Sequence, residues 1–447
     1  MAKPPTLKTE AFVKWFRSAT PYIHRWGGAT FVIAFGGEVL ADGEFQQLTH
    51  DINVLVSLEV RVVLVHGARP QIDAAVAAAG LEPRFHDHRR ITDQATIEQV
   101  EAAVARVRVR IEGLFSMGLP NTPLHNTKIH VLSGNLVTAR PFGVVDGIDH
   151  LFTGRVRRIH SERIHQMLNE RCIVLLSPLG YSPSGEAFNL SSEELATDVA
   201  IALGADKLIT FDGASSVTSA DGVTQPDLSP SELDSLLDTA TFDDTTRLRL
   251  TELLRACRAG VPRTHLIGYR DDGALLQELY TAAGCGTQIS EDGFQHIRRA
   301  TAEDVAGIVE LIRPLELSGV LVRRPRDRLE REIDRFFVAE LDGNIIGCCA
   351  LYPFEDLGTG ELACLATHPS YRADAGKHGA ALVRKVEAEA RRLGLQQVFL
   401  LTTQTRDWFK EQGFSDATVD DLPASRKSMY NYQRNSVVMA KDLKKSA

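Results

Sequence analysis

The stretch FVIAFGGEVL, residues 31–40, decides how the first part of the chain folds. Its apolar run, 31–35, is typical of a strand buried on both faces, and the run ends in the pair Gly36-Gly37. Glycines after a buried strand let the backbone approach a phosphate closely. Phosphate sites usually also carry a fixed positive charge, yet Ala34 stands two positions before the pair. The stretch therefore predicts a phosphate-handling architecture without its cation.

Strands and helices alternate over the first two thirds of the chain. Apolar runs predict further strands at 61–67, 172–176, 207–211 and 264–268, and helical periodicity predicts helices at 45–58, 70–80 and 191–204. In the last of these helices, Ser191 and Glu194 have the spacing of a capping box. This alternation predicts an α/β fold, a three-layer αβα sandwich around a mostly parallel sheet. Ligands of such sheets bind at the carboxyl ends of the strands, where Gly36-Gly37 and His66-Gly67 both lie.

The pattern changes near residues 289–296, and a second α/β domain is predicted beyond them. Its elements are a strand and a helix capped by Thr301, a hairpin over 336–354 that turns at Asp342-Gly343, a strand over 360–372, a helix over 379–394, a strand over 396–404 and a short helix over 406–416. The predicted organisation is an N-terminal helix (1–28), a first domain (29–288), a linker (289–296) and a second domain (297–447).

Composition limits the partners that we expect. The chain is 44% apolar and 24% charged with a formal charge of −8, which argues against nucleic acid or an anionic membrane as the main partner. No apolar run approaches the length of about 18 residues that a membrane span requires, and the first residues lack the pattern of a signal peptide. None of the six cysteines forms a Cys-x-x-Cys motif. A reduced, cytoplasmic setting is therefore expected.

The order of elements in residues 29–288 resembles the amino-acid kinase fold, and within it acetylglutamate kinase. That family places a lysine where Ala34 stands and a glycine-rich turn where this chain has HGARPQ, so that Arg69 is expected to crowd the loop. NLSSE (189–193) replaces its Asn-rich turn. Because phosphoryl transfer depends on positioned charge, the resemblance implies a kinase-derived domain that is not a kinase. The alternative is that Gly36-Gly37 is simply a turn that ends a strand.

The segment 264–287 resembles the arginine-site segment of arginine-inhibited acetylglutamate kinases and synthases. The resemblance implies that four of its residues lie near a bound L-arginine, with Tyr22 above it: His265, Glu278, Gly286 and Thr287. A carboxylate such as Glu278 can bind a guanidinium with both oxygens. The alternative is a helix with an exposed glutamate and a glycine-containing loop.

The N-terminal helix carries an apolar stripe that needs cover, formed by Phe12, Trp15, Phe16 and Ala19. Arginine-sensitive relatives share a helix of this type and use it to interlace subunits. The resemblance implies a homo-oligomer, with a hexamer favoured; the alternative is a helix that packs on its own subunit.

The last third resembles the GCN5-related acetyltransferase (GNAT) fold, most specifically in HPSYR…G…ALV and WFKEQGF. In that family, backbone N–H groups of a loop and a helix start hold the pyrophosphate of acetyl-CoA. The implied cofactor-binding residues are Arg372, Gly376 and Gly379, which depart from the usual spacing because Lys377 occupies a glycine position. A generic α/β domain is the alternative.

Both parts together resemble the bacterial N-acetylglutamate synthases, notably in PYIHRWGGATFVI, GARPQID, FNLSSEE, DGALLQEL and YNYQRNS. The resemblance implies transfer of acetyl from acetyl-CoA to the α-amine of L-glutamate, giving N-acetyl-L-glutamate and CoA. This is the first step of arginine biosynthesis and is feedback-inhibited by L-arginine. Acetyl-CoA is a co-substrate, and neither a further cofactor nor a metal is expected. The adjacent His-Asp-His at 86–88 is assigned to a loop.

The same resemblance assigns the catalytic roles. Glu361 is the base, acting through water, and Thr402 protonates the leaving thiolate, since Phe409 occupies the position of the tyrosine acid of other relatives. Thr403 is the neighbouring possibility but should point to the opposite face. The alternative for Glu361 is a solvated residue at a strand end.

Substrate and cofactor contacts are assigned in the same way. Glutamate brings two carboxylates, for which the resemblance indicates Arg324, Arg434 and Ser436, with Cys364 also at the substrate; two arginines of RRPR are expected to be solvated. The backbone of Cys364, Leu365 and Ala366 is expected to bind the pantetheine arm in the manner of an added strand.

Two other functions compete with this interpretation. One is a GNAT acetyltransferase for another amine or for a protein lysine, in which Arg324 and Arg434 would lack dicarboxylate partners. The other is a non-catalytic arginine sensor or assembly protein. A bifunctional synthase-kinase is disfavoured by Ala34.

Overall fold

The structure is a computed structural model that describes residues 9–87, 89–117, 129–219, 221–281, 284–290, 296–341, 344–368, 375–427 and 436–443. Side chains are described for these residues except 9–12, 14, 296 and 375–377. The chain divides into two compact units, Met1–Gly293 and Phe294–Ala447. Among the described residues, no helix combines the length and the apolar content that crossing a membrane requires.

The first unit contains the strands β1 Thr30–Phe35, β2 Arg61–His66, β3 Arg84–His86, β4 Arg89–Ile91, β5 Val131–Leu132, β6 Val137–Pro141, β7 Val144–Val145, β8 Ile148–Asp149, β9 Gly154–Ile159, β10 Ile173–Leu176, β11 Leu179–Tyr181, β12 Ala187–Asn189, β13 Lys207–Asp212, β14 Asp227–Leu228, β15 Arg263–Gly268 and β16 Thr287–Ile289. Its helices are α1 Thr9–Trp26, α2 Glu38–Ala41, α3 Phe45–Ser57, α4 Arg69–Ala78, α5 Gln94–Ser116, α6 Ser161–Asn169, α7 Ser192–Leu203, α8 Pro230–Thr239, α9 Asp244–Arg258 and α10 Ala274–Tyr280.

The main sheet of the first unit has eight strands in the order β14-β16-β15-β13-β1-β2-β10-β5. Neighbouring strands are parallel except β15 and β16. Alternate residues of β1 enter two different cores: Phe31 and Ile33 pack with α3, α5 and α10, whereas Val32 and Ala34 pack with α6, α7 and α9. Helices therefore cover both faces of the sheet, and the predicted three-layer, mostly parallel architecture is confirmed.

One local prediction in this unit is wrong in part. Ser191 caps α7 by accepting a hydrogen bond from the Glu194 backbone N–H, as expected. The Glu194 carboxylate does not return to the Ser191 backbone and instead pairs with Arg89 of β4. A charge-assisted bond to an arginine is stronger than one to a neutral N–H, so it displaces the second half of the capping box.

The second unit contains the strands β17 His296–Arg299, β18 Phe336–Leu341, β19 Asn344–Phe354, β20 Thr359–Thr367, β21 Gln397–Thr402, β22 Ser415–Ala417 and β23 Val437–Asp442. Its helices are α11 Val305–Leu317, α12 Arg326–Arg331, α13 Ala375–Arg392, α14 Arg406–Glu411 and α15 Ala424–Lys427. Seven strands form one sheet in the order β17-β18-β19-β20-β21-β23-β22. Only β20 and β21 are parallel among these described neighbours.

The predicted elements of this unit are present. Thr301 and Asp304 form a complete capping box before α11. The hairpin of β18 and β19 is present, although its turn, Asp342-Gly343, lies outside the described residues. The adjacent Cys348 and Cys349 point into different cores on the two faces of β19.

Candidate functional site

The parallel strands β20 and β21 separate at one end of the second unit's sheet. They pair from Thr359 and Gln397 as far as Leu362 and Leu400. Beyond this point β21 continues to pair with β23, while the rest of β20 pairs with β19 alone among the described strands. One edge of residues 363–367 therefore presents backbone N–H and C=O groups to which an extended amide-containing chain could add.

A β-bulge lies at the same place. Ala363 pairs with Ala350 and Ala366 pairs with Cys348, so that Cys364 and Leu365 both oppose the single residue Cys349. Cys364 has φ +53°, in the left-handed region that non-glycine residues seldom adopt. Ala363 and Cys364 then contact the same core cluster. Because of the bulge, Glu361 and Cys364 share one face of the sheet, although strict alternation would put them on opposite faces.

Glu361 is a buried carboxylate with one direct counter-ion. Its residue is 5% exposed, and its Oε1 accepts a hydrogen bond from Nη2 of Arg426 on α15. Burial raises the pKa of Glu361 above its ordinary value, against the opposing charges of Arg426, Arg324 and Arg328. A carboxylate with a raised pKa is a better proton acceptor than a solvated one.

Arg324 faces the same place from the loop before α12. Its backbone N–H donates to Glu316 Oε1 at 2.7 Å, which fixes the loop. The Tyr352 hydroxyl lies near the Arg324 guanidinium and donates to Glu332 Oε2 at 2.7 Å. Nε of Arg324 is buried and has no acceptor among the described residues. In contrast Arg323 and Arg326, the solvated pair that the sequence led us to expect, are exposed.

Thr402 ends β21 with its hydroxyl turned inward. Its Oγ1 lies 3.0 Å from Oγ1 of Thr405 and accepts hydrogen bonds from the backbone N–H groups of Gln404 and Thr405, at 3.4 and 3.2 Å. Thr403 is exposed, as alternation predicts. Bonds accepted by the oxygen make its own O–H a better donor, although this geometry also serves the turn before α14.

The remaining predicted acetyltransferase residues fall into three groups. Arg372 and Arg434 lie outside the described residues, and Gly376 lies in the first turn of α13 without described surroundings. Ser436 directly precedes β23, whose first residue pairs with Thr402, so it lies at the end of the sheet where β20 and β21 separate. The third group is Gly379 alone.

Gly379 lies on α13 beside an indole ring. A Cβ at this position would lie 3.0 Å from Cη2 of Trp408, so the bare glycine allows α13 to pack against that ring. Its contact with the pyrophosphate of acetyl-CoA stays a prediction.

Two side chains at this site were missed by the sequence reasoning. Tyr352 is the register partner of Glu361 across β19 and β20, which a hairpin alignment could have indicated. Arg426 is 65 residues from Glu361 in the sequence and lies in a short helix, so no spacing pattern pointed to it.

The predicted arginine segment of the first unit forms a buried polar chain. Nζ of Lys207 lies 2.9 Å from Nε2 of His265, and Nδ1 of His265 lies 2.7 Å from Oε1 of Glu278. Burial and the Lys207 charge lower the pKa of His265 to about 4. Against the effect of burial, the bonds from His265 and two backbone N–H groups lower the pKa of Glu278 to about 2. At neutral pH this places a neutral imidazole between an ammonium and a carboxylate.

The carboxylate of Glu278 is free to accept fewer additional hydrogen bonds than we expected. Its Oε2 accepts from the backbone N–H groups of Cys285 and Gly286, at 2.8 and 2.9 Å, while Oε1 takes His265. The two-oxygen guanidinium pair is therefore not available in this arrangement without displacing existing donors, and the exposed-glutamate alternative is wrong because the side chain is 6% exposed.

Other residues of that segment have internal roles. Thr287 is fully buried, donates to the Gln225 carbonyl at 2.6 Å and accepts from the Val217 N–H at 2.9 Å. A Cβ on Gly286 would overlap the Leu266 carbonyl, so this glycine is required for strand packing. Tyr22 is buried on α1, which packs against α10.

The apolar stripe of α1 divides into two parts. Ala19 is buried, whereas Trp15 and Phe16 are 47% and 51% exposed in the single chain. The side chain of Phe12 lies outside the described residues.

The turn at Gly36-Gly37, which follows β1 in the first unit, is occupied by a side chain of the same protein. The carboxylate of Glu38 lies against Gly36, where even a Cβ would not fit, and it pairs with Arg249 of α9. Arg249 is 4% exposed and also lies 3.4 Å from Asp212 at the end of β13. Arg69 does not crowd this turn, as we had expected: it is exposed, with its guanidinium on the Phe85 ring.

No group of side chains able to hold a metal ion is found within the described part of the chain. Of the His-Asp-His segment, His86 ends β3 and Asp87 turns the chain at φ +47°, while His88 lies outside the described residues.

The two units match two family models. Residues 29–268 match the amino acid kinase family, and residues 306–414 match the acetyltransferase (GNAT) family. The second unit, with its separating strands and bulge, is therefore an acyltransferase domain joined to a kinase-like one.

Curated relatives match along the whole chain. An amino-acid acetyltransferase of Azotobacter vinelandii is 50% identical over 97% of this chain and 99% of its own length, and one of Pseudomonas aeruginosa is 48% identical over the same shares. The N-acetylglutamate synthase of Neisseria gonorrhoeae, solved with coenzyme A and L-arginine, is 36% identical, with a TM-score of 0.85 over 96% of this chain and 99% of its own. The chain belongs to the amino-acid acetyltransferase family and is an acyltransferase.

Proposed function

We propose that this enzyme transfers the acetyl group of acetyl-CoA to the α-amine of L-glutamate, giving N-acetyl-L-glutamate and CoA as the first step of arginine biosynthesis. The observation that carries the proposal is the face of β20 where a buried carboxylate, Glu361, lies among arginines beside an unpaired strand edge. The edge suits the amide-containing arm of CoA, and the arginines suit a substrate with two carboxylates. The relative from N. gonorrhoeae has also been solved with coenzyme A and N-acetyl-glutamate.

Glu361 acts as the base. The amine of an amino acid is mostly protonated at neutral pH and must lose a proton before it attacks the thioester carbonyl. Glu361 takes this proton through a water molecule, the N–C bond forms and the C–S bond breaks. Thr402 then donates its hydroxyl proton to the departing thiolate and regains a proton from the nitrogen, which loses its second proton as the amide forms. The Thr402 oxygen is held by the backbone N–H groups of the following turn.

The substrate carboxylates bind to fixed cations and a hydroxyl. Arg324 offers a buried Nε–H, and Glu316 holds its backbone in place. Arg434 and Ser436 supply the second contact. The backbone of Cys364, Leu365 and Ala366 holds the pantetheine arm, because the β-bulge and the separation of β21 leave this edge unpaired. Acetyl-CoA is the only cofactor-like molecule required.

L-Arginine inhibits through the kinase-like unit. That unit does not phosphorylate, since Ala34 replaces the lysine and Glu38 occupies the glycine turn. The relative solved with L-arginine supports the effector role, and the Lys207–His265–Glu278 chain supplies a charged, buried end for a regulatory pocket beneath Tyr22. We place the enzyme in the cytoplasm, as a homo-oligomer in which the exposed Trp15 and Phe16 of α1 are covered; a hexamer is favoured.

A substrate panel tests the proposal. Thiol release from acetyl-CoA is followed with L-glutamate, L-aspartate, L-glutamine, L-lysine and a lysine-containing peptide, and the products are identified by mass spectrometry. We expect kcat/KM to be highest for glutamate. It should be lower for glutamine, because an uncharged amide replaces the side-chain carboxylate. Faster acetylation of lysine or the peptide would overturn the glutamate assignment.

A further inference from the structure

Arg426 is the direct partner of Glu361 and has no role in the function proposed so far. It lies on α15, and its Nη2 donates to Glu361 Oε1. The side chains are 29% and 7% exposed, so the pair is largely shielded from water. Nε of Arg426 is buried and has no acceptor among the described residues.

We infer that Arg426 is a positioning residue that fixes the Glu361 carboxylate and keeps it charged between turnovers. This inference rests on the proposed function, in which Glu361 is the base. It adds a residue that acts through the base and does not itself contact the reacting atoms.

Arg426 is the cation that Glu361 depends on most. Burying a carboxylate is costly unless it is paired. Two other arginines face Glu361, but the hydrogen bond to its carboxylate comes from Arg426, and Arg328 pairs with Glu332 at 3.0 Å. Cys364 and Glu316 lie on the same side and bring no positive charge. Without Arg426, burial would raise the pKa of Glu361 further, so the base would be protonated over more of the neutral range.

The contact with Arg426 also indicates which oxygen of Glu361 can accept the proton. Arg426 holds Oε1, and no residue in the described ranges donates to Oε2. One oxygen is therefore anchored while the other can accept a proton from the water that bridges to the amine. Arg426 reaches this oxygen through one N–H of a rigid, planar guanidinium, which is less free to reorient than a lysine ammonium.

The test compares the pH dependence of kcat/KM in four full-length proteins: wild type, Arg426→Gln, Arg426→Lys and Lys427→Gln. Lys427 is the matched control, since it is the next residue on α15 and pairs with Asp420 at 3.1 Å. For Arg426→Gln we expect the acidic limb to move to higher pH by about one unit, which is a loss of about tenfold below the limb. Activity should recover in part as the pH rises above the new limb.

The activity of the variants should follow how well the side chain at position 426 pairs with Glu361. Arg426→Lys keeps the charge and loses the rigid guanidinium, so its limb should stay near that of wild type while kcat falls. Lys427→Gln should match wild type throughout. KM for acetyl-CoA and the melting temperature, measured alongside, identify a variant that fails to fold.

The outcomes separate this inference from the function beneath it. If wild type does not acetylate glutamate, or if Glu361→Gln retains full activity, the proposed function fails. If wild type behaves as proposed and Arg426→Gln keeps the wild-type limb, only the positioning role is overturned. A raised KM for glutamate with an unmoved limb would also overturn it, because Arg426 would then bind substrate.

Discussion

Both units pair a glutamate with an arginine near a strand end, and the two pairs differ in how their charge is balanced. In the first unit Arg249 contacts two carboxylates, those of Glu38 and Asp212. In the second unit the single carboxylate of Glu361 faces Arg426 and Arg324, each with a buried Nε that lacks an acceptor among the described residues. At the first strand end two carboxylates face one arginine, whereas at the second two arginines face one carboxylate. The two strand ends therefore differ in local charge, and only the second suits the anionic substrate that we propose.

Neutralising Glu361 should have the largest effect. Glu361→Gln keeps the shape and removes the proton acceptor, so kcat should fall by about 10²- to 10⁴-fold, the contribution of a positioned base. KM for acetyl-CoA should change little, because the cofactor is held by backbone groups. Initial rates at saturating substrates measure this, and a loss below about threefold at the pH optimum would remove Glu361 from the role.

Breaking the Glu38–Arg249 pair should lower the stability of the protein and leave its catalytic activity unchanged. Glu38→Gln removes one charged partner of Arg249 and leaves Asp212, so the free energy of unfolding should fall by about 1.5–3 kcal/mol, the contribution of a hydrogen bond to a charged group. Glu59→Gln is the matched control, because Glu59 forms an exposed pair with Arg171 at 3.0 Å, and surface pairs contribute about 0–1 kcal/mol. Urea denaturation of both variants gives the comparison, and equal losses would contradict the difference between the edges.

Removing positive charge from the end of β20 should weaken the binding of glutamate. Arg324→Ala should raise KM for glutamate by roughly 10- to 150-fold, equivalent to the 1.5–3 kcal/mol of a hydrogen bond to a charged group. KM for acetyl-CoA should stay within about twofold of wild type. Arg323→Ala, the exposed neighbour, is the control. Equal weakening of both substrates would indicate misfolding and leave Arg324 without its assigned role.

The smallest effect is expected in the arginine segment. Glu278→Gln keeps the shape that accepts the backbone N–H groups of Cys285 and Gly286 but loses the charge, so arginine inhibition should weaken by about 5- to 150-fold, the usual range of an allosteric coupling. The ratio of rates with and without L-arginine is the measurement. An inhibition curve identical to that of wild type would remove Glu278 from the regulatory site.

The sequence predicted elements well and side-chain contacts less well. The buried strands around Gly36-Gly37 were clear because apolar runs bounded by glycine have few alternatives. The bulge at Cys364 was not predictable, since an extra residue in a strand leaves no mark on composition. It reverses which residues share a face with Glu361. Arg426 was missed for another reason: it lies on a helix 65 residues away in the sequence, which no local pattern connects to Glu361.

Where a short motif predicted a particular contact, the residue sometimes makes a different contact within the chain. Gly379 makes room for Trp408, Gly286 makes room for the Leu266 carbonyl, and Glu194 bonds Arg89 instead of its own helix start. Spacing along the sequence indicates which contacts are possible. Which contact forms depends on side chains and backbone groups from distant segments that pack against the motif.

The division of labour between the two units is tested most directly by one kinetic measurement on the wild-type enzyme. Initial rates of glutamate-dependent CoA release are recorded over a range of L-arginine concentrations, at limiting and at saturating glutamate. We expect inhibition that persists at saturating glutamate, because arginine acts on the kinase-like unit and glutamate binds in the acetyltransferase unit. Inhibition that saturating glutamate abolishes would place arginine at the arginines of the acetyltransferase site and contradict the separation of roles.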